Sequence, residues 1–301
     1  MKSINVLIFT YKQQELIKRA LDSILTQKEF GLNRIIVNDD CSPDDTWSVL
    51  LSYKDKYSDL IEIHRNEKNL GVYGNWNKMI ERKGDADIYY LMAGDDAFCG
   101  GILNEVQETI KRESINCLEP AALYFDWKHV NPEGKEIIVK NNAVSNNSDV
   151  FGLKLRNRIS NRSCFVTRGI MNQYREVDLS KGIALSETLA DMQYSVLAKK
   201  NYYTNFLGTI YYSGVGVSTK LFSRDYYNEA VIAYNSLMTL FDLSIRDKFW
   251  ILYCIYFHKL GIERSFLNAI KAIWYYILGV KYGPLRKIRS ELADFILLLR
   301  K

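Results

Sequence analysis

Ile88-Tyr89-Tyr90-Leu91-Met92-Ala93-Gly94-Asp95-Asp96 is the stretch on which the reading of this chain turns. A short apolar run bounded by glycine has the length and composition of a buried strand, and it ends in two adjacent acids. Reading outward, the same rhythm repeats on both sides. Ile4 to Phe9, Arg34 to Val37 and Leu60 to Ile63 are three more strand-like runs. Between them lie helical patterns: Gln13 to Gln27, with Leu16, Ile17, Ala20, Leu21, Ile24 and Leu25 at helical spacing, and a segment around Gly74 to Arg82. Ser42-Pro43-Asp44-Asp45 predicts a helix start, with Ser as N-cap, Pro at the first position and acid in the first turn. Ile102 to Lys111 is a further helix. Strands alternating with helices of this length define βαβ units, so the fold class is α/β with a mixed, mostly parallel sheet flanked by helices.

The rhythm breaks after Glu119. Ala121 to Trp127 reads as a strand, Asn131-Pro132-Glu133-Gly134 as a turn and the polar stretch Asn141 to Asn147 as a mobile loop. A helix is expected from about Thr188 to Ala198, then short strands at Tyr202 to Phe206 and Thr209 to Tyr212. From Tyr226 onward the pattern is helical. Phe266, Leu267, Ile270, Ile273, Trp274, Ile277 and Leu278 form one apolar stripe, and Leu285, Ile288, Leu292, Phe295, Ile296 and Leu299 another.

Composition narrows the class. The 301 residues are 48% hydrophobic and 25% charged, with 4 Pro and 17 Gly, which excludes a disordered or collagen-like chain. Net charge is +5, yet Leu240 to Lys301 holds 11 Lys+Arg against 5 Asp+Glu, so the preceding residues sum to −1. A mildly acidic body with a basic tail argues against nucleic acid and for a local anionic partner of the tail. Cys41, Cys99, Cys117, Cys164 and Cys254 are odd in number and lack CxxC spacing, so reduced thiols and a cytoplasmic location are expected. His64, His129 and His258 are scattered and read as structural. Ser265 to Val280 is 16 residues with Lys271 inside, shorter than a membrane span.

Ligands of open α/β sheets sit beyond the carboxyl ends of the strands. There the sequence places Thr10 and Tyr11, then Asn38, Asp39 and Asp40, then Asn69, Gly71 and Asn75, then Gly94, Asp95 and Asp96. Two unit charges about 4 Å apart repel by on the order of 4 kcal/mol at an effective dielectric of about 20, and a divalent cation removes that cost. Carboxylate oxygens completed by phosphate and water suit Mg²⁺ or Mn²⁺. No GxxxxGK[ST] loop is present, and Gly214-Val215-Gly216 is far from the first βα turn, which excludes a P-loop NTPase and a Rossmann dehydrogenase.

Val6 to Tyr11, Ile35 to Ser42, Asn69-Leu70-Gly71 and Gly94-Asp95-Asp96, taken in order and spacing, resemble the nucleotide-binding half of family 2 glycosyltransferases with the GT-A fold. The resemblance covers about residues 1–220. It implies a glycosyltransferase domain over 1–220, with a nucleotide-sugar-binding half (1–115) and an acceptor-binding half (116–220), followed by a helical basic region (221–301). It also implies roles. Thr10 and Tyr11 would line the nucleoside pocket, Asp40 would bond the uracil ring, and Asn69 and Gly71 would run beside the nucleotide. Asp95 and Asp96 would form the metal and diphosphate site, with Asp96 as the direct ligand. Ala93 and Gly94 stand where the family usually carries an acid. Asp191 takes the position of the catalytic base, with Ala190 replacing the usual Glu and Glu187, four residues earlier, in reserve. Arg162 and Ser163 resemble the acceptor-side loop, and Ser218 lies in a late loop where Val215 or Gly216 replaces a frequent His.

The implied activity is an inverting, metal-dependent transfer from a nucleotide sugar, a UDP-sugar by resemblance, to a glycan or lipid-linked oligosaccharide of the O-antigen or capsule type. Two rivals stand beside it: a sugar nucleotidyltransferase, and a non-catalytic glycan-binding protein on the same fold. The basic C-terminal helices admit packing back on the domain, the commonest outcome for such stripes, a dimer interface, or contact with the inner face of an anionic membrane through Arg286, Lys287, Arg289, Arg300 and Lys301.

Overall fold

A computed structural model describes residues 1–144, 150–155, 159–176, 178, 188–214, 224–263 and 265–281. In chain order the elements are β1 (Ile4–Thr10), α1 (Leu16–Leu25), β2 (Leu32–Asp39), α2 (Thr46–Lys56), β3 (Ile61–Arg65), α3 (Gly71–Glu81) and β4 (Ile88–Ala93). Then come β5 (Ala97–Phe98), α4 (Ile102–Arg112), β6 (Ala121–Val130), β7 (Glu136–Val139), α5 (Val150–Leu155), β8 (Cys164–Thr167), α6 (Arg168–Met171), α7 (Thr188–Leu197) and β9 (Lys200–Tyr212). Helices α8 (Arg224–Leu240), α9 (Ile245–Ile262) and α10 (Phe266–Lys281) follow.

The strands form one sheet in the order β3-β2-β1-β4-β8-β6-β9-β5, with β7 paired to the outer part of β6. β1 is central to the first half and pairs in parallel with both β2 and β4, while β2 pairs in parallel with β3. β8 runs antiparallel to its neighbours β4 and β6, and β6 and β9 are parallel again. The architecture is therefore the expected α/β sheet with helices on both faces. Ile4, Val6, Ile8, Ile35 and Val37 face a core shared with α1 and α4. Leu7, Ile36 and Tyr89 face the opposite core, with Trp76 and Met79 of α3. Strands buried on both faces need continuous apolar runs, which is why β1 and β2 lack alternation.

Four sequence expectations are corrected. α2 starts at Thr46, because the Ser42 hydroxyl is spent on Asp39, and Asp44 instead accepts from the Thr46 backbone N–H (3.2 Å) and hydroxyl (2.6 Å). The two short strands at 202–206 and 209–212 are one strand, β9, whose register against β6 shifts around Asp126. Asn141 does lie in a loop, but an anchored one: it is fully buried, its amide donates to the carbonyls of Phe125 and Ser160, and its own N–H donates to Asp126. Residues 145–147 of that stretch lie outside the described residues. The turn at 131–134 is present and leads into the unforeseen strand β7, with Gly134 at φ 78°.

The fourth correction concerns the C-terminal helices. α8 and α9 do pack back: Ala233, Leu237, Trp250, Ile251 and Cys254 join the core that holds Trp76, Tyr89 and Phe151. α10 lies on α9 through small residues. Ala269 and Ala272 are buried, and a Cβ at Gly279 would come within 2.9 Å of the Trp250 indole. Small side chains allow the close approach, Tyr275 and Tyr276 pack on Tyr256 and Trp250 of α9, and the remaining large side chains point away. Phe266, Leu267, Ile270, Ile273, Trp274 and Ile277 are all exposed, and the expected burial of this stripe is not found. The second stripe, from Leu285, lies outside the described residues. Among the described residues no helix is long and apolar enough to cross a membrane.

Candidate functional site

The parallel strands β1, β2, β3 and β4 end on one edge, and an amide network locks their tips. Asn75, on the second turn of α3, donates to the carbonyls of Thr10 (3.3 Å) and Asn38 (3.2 Å). Its Oδ1 accepts from the Asn38 amide (2.5 Å) and the Asn66 amide (3.2 Å). Arg82 donates to the Asn38 side-chain oxygen. All three asparagines are buried, so each bond replaces one that water supplied in the unfolded chain. Asn75→Ala would strand donors and acceptors on three strand ends at once. It is expected to cost about 2–4 kcal/mol, read as a lowered urea midpoint with an unchanged slope.

Asp39 and Asp40 follow from β2 with different surroundings. Asp39 is fully buried, accepts from the backbone and hydroxyl of Ser42, and pairs with Arg65 (3.2 Å). Burial pushes its carboxyl up from the usual carboxylate range, and the Ser42 bonds and Arg65 offset only part of this. The Asp40 carboxylate accepts from the Asn66 amide (2.8 Å) and the backbone N–H groups of Leu70 and Gly71 (both 2.9 Å). It thereby fixes the turn from β3 into α3, with about one of its four acceptor positions left. Asn69 caps the same turn by accepting from Gly71 N–H (3.0 Å). Gly71 has φ 76° and open space where a Cβ would stand. Thr10 is buried at the tip of β1 and donates to Gln13 (2.7 Å), whereas Tyr11 is exposed beside it.

Beyond β4, Gly94 is wedged against β1: an added Cβ would lie 2.5 Å from the Gln13 oxygen and 3.0 Å from the Thr10 hydroxyl. Any larger side chain at Gly94 would require Gln13 and Thr10 to move. Asp95 is nearly buried, and burial pushes its carboxyl up, against the pull of Arg162, Arg19 and Gln13. Asp96 is half-buried at the tip and accepts from the Tyr212 N–H (3.4 Å).

Arg162 reaches this edge from the other half of the sheet. Its guanidinium lies 3.5 Å from the Tyr211 ring centre, and its carbonyl accepts from Thr209 (3.0 Å) and Tyr90. Arg19 mirrors it, stacked 3.4 Å over Tyr212 and donating to the Asp95 carbonyl (2.5 Å). Two cations thus flank the acid pair. Ser163 is wholly buried, where a Cβ on Gly208 would meet its hydroxyl at 2.3 Å, so Arg162 alone of that pair faces the edge. Sequence reading missed Arg19, Tyr211 and Tyr212. Only the aromatic pair at the end of β9 carried a signal, since Arg19 looks like any polar helix residue.

α7 is held by Gln193, which exchanges bonds with the backbone of Arg175 (2.9 and 2.8 Å). Asp191 is the fourth residue of α7, but the surroundings of its side chain are outside the described residues, as are Glu187 and Ser218. Among the described residues no three His, Cys, Asp or Glu side chains converge into a metal cluster. Asp95 and Asp96 would have to share a cation with ligand oxygens.

A βαβ sheet with an acid pair at its carboxyl edge and no glycine-rich phosphate loop has the layout of an α/β domain of the GT-A type. The model of glycosyl transferase family 2 matches residues 5–162, slightly more than half of the chain, and the chain belongs to that family. A processive diacylglycerol beta-glycosyltransferase of Mycoplasma pneumoniae is 32% identical over 117 residues, 38% of this chain and 34% of the relative. The match thus spans about a third of the curated relative. Among solved structures, S. aureus TarS 1-349 in complex with UDP-GlcNAc superposes with a TM-score of 0.62 at 16% identity, over 99% of this chain and 81% of that one. The mannosyltransferase PcManGT of Pyrobaculum calidifontis, in complex with GDP-Man and Mn²⁺, gives 0.56 at 12% identity, over 100% and 86%. At these identities the likeness is one of fold.

Proposed function

We propose that this protein is an inverting, metal-dependent glycosyltransferase that moves a sugar from a nucleotide-sugar donor, a UDP-sugar, to a glycan or lipid-linked acceptor. The observation that carries the reading is the convergence of Thr10, Asp40, Gly71, Asp95 and Asp96 on one sheet edge. Tyr11 and Asp40 would hold the base, and the turn from Asn69 to Gly71 would flank the nucleoside. Asp96, half-exposed, would hold a Mn²⁺ or Mg²⁺ ion, with Asp95 behind it. Hard oxygen donors fit such an ion, and phosphate oxygens would complete its shell. Bound there, it would supply charge neutralisation for the departing nucleoside diphosphate.

The chain's own residues do the rest. Arg19 and Arg162 add positive charge beside the diphosphate position. Asp191, on α7, takes the proton of the attacking hydroxyl as the new bond forms. The nucleoside diphosphate leaves with the bonding pair, and one in-line displacement inverts the anomeric carbon. The donors in the TarS and PcManGT structures support nucleotide-sugar binding, and the relative's name supports a lipid acceptor.

The test is binding and slow hydrolysis over UDP-, GDP-, dTDP- and CMP-sugars, with Mn²⁺ or with EDTA. One UDP-sugar is expected to bind and turn over, with turnover lost in EDTA and restored by Mn²⁺. Binding of no donor, with metal making no difference, would overturn the reading in favour of a non-catalytic glycan binder.

A further inference from the structure

We infer that the outward face of α10 is a docking surface for an anionic lipid bilayer. This goes beyond the transfer reaction and does not depend on it. Phe266, Leu267, Ile270, Ile273, Trp274 and Ile277 are exposed and fall within one arc of the helix, while Ala269 and Ala272 are buried on the other side. Six large apolar side chains on one helix make a contiguous patch, which an isolated soluble chain rarely leaves in water.

Charge selects the occupant. α10 carries Lys271 and Lys281 and no acid, and from Arg264 to Lys301 there are eight Lys+Arg against two Asp+Glu. The whole cationic excess of the protein therefore sits in the segment that bears the apolar face. Lys271 lies at the border of the exposed arc, near Tyr256 (5.2 Å to the ring centre). An apolar face with Trp and Phe, bordered by Lys, is the pattern of a helix lying in the plane of a membrane interface. At 16 residues α10 is about 24 Å long, which suits lying along a bilayer and not crossing it. Basic residues near an anionic surface add electrostatic attraction that salt screens.

The experiment uses the full chain with vesicles of phosphatidylcholine alone or mixed with phosphatidylglycerol. Co-sedimentation with the mixed vesicles is expected to exceed that with neutral ones by about tenfold or more, and to fall at about 0.5 M salt. Ile270→Glu with Ile277→Glu is expected to weaken it by about tenfold or more, with an unchanged melting temperature because both side chains are already in water. Equal binding to both vesicle types, or vesicle binding untouched by the double variant, would overturn the inference. So would a stable dimer that the double variant dissociates, which would make a second copy the occupant. Shielding of Trp274 from iodide in the free monomer, read against Trp274→Phe, would also overturn it, with residues 282–301 as the cover.

Discussion

Asp96→Ala is expected to lower donor turnover by about a thousandfold or more while leaving the fold intact. The side chain is half-exposed at the tip beyond β4, and its bond to the Tyr212 N–H is long, at 3.4 Å. The proposed cation would rely on it most, because Asp95 is nearly buried whereas Asp96 is half-exposed. The variant should lose the response of donor binding to Mn²⁺ in calorimetric titration and keep the wild-type melting temperature. Full turnover that still requires metal would place the ion elsewhere. Asp95→Ala should behave differently, since it removes a nearly buried carboxylate that interacts with both Arg162 and Arg19, and a drop in melting temperature should accompany its loss of activity.

Asp191→Asn is expected to lower kcat by about a hundredfold to ten-thousandfold with donor KM nearly unchanged. An amide keeps the size of the carboxylate but accepts no proton at neutral pH. The split between kcat and KM separates a base from a residue that merely shapes the pocket. Glu187→Gln is expected to stay within a few-fold of wild type. The reverse pattern, with Glu187→Gln inactive and Asp191→Asn normal, would transfer the base to the earlier acid. Normal kinetics in both would remove the proton-transfer role from the start of α7.

Much of the first half was legible because burial on both faces writes itself into the sequence. β1, β2 and β4 are apolar runs between helical stripes, and the polar residues that follow each strand mark the ligand edge. What failed has physical causes. Ser42 satisfies every local rule for a helix cap, but the charged Asp39 beneath it competes for the same hydroxyl. β8 is four residues long and gains its place from pairing with β4 and β6, a tertiary fact without local trace. Asn66 and Asn141 look like ordinary loop residues until burial shows what they anchor. Tyr211 meets Arg162, and Tyr212 meets Arg19, only because the end of β9 reaches the acid pair, a juxtaposition that spacing cannot report.

α10 divides what folding demands from what it ignores. Its inward positions are small, and enlarging Gly279 or Ala272 would push the helix off Trp250 and α9. Tyr275 and Tyr276 pack on the aromatics of α9, but the large residues of the outward arc, Phe266 to Ile277, stay exposed. A stability screen would tolerate polar replacements at Phe266, Trp274 or Ile277 and reject a single methyl at Gly279. The greasiest residues of this helix are dispensable to the folded state, so whatever purpose they serve is exercised outside the molecule.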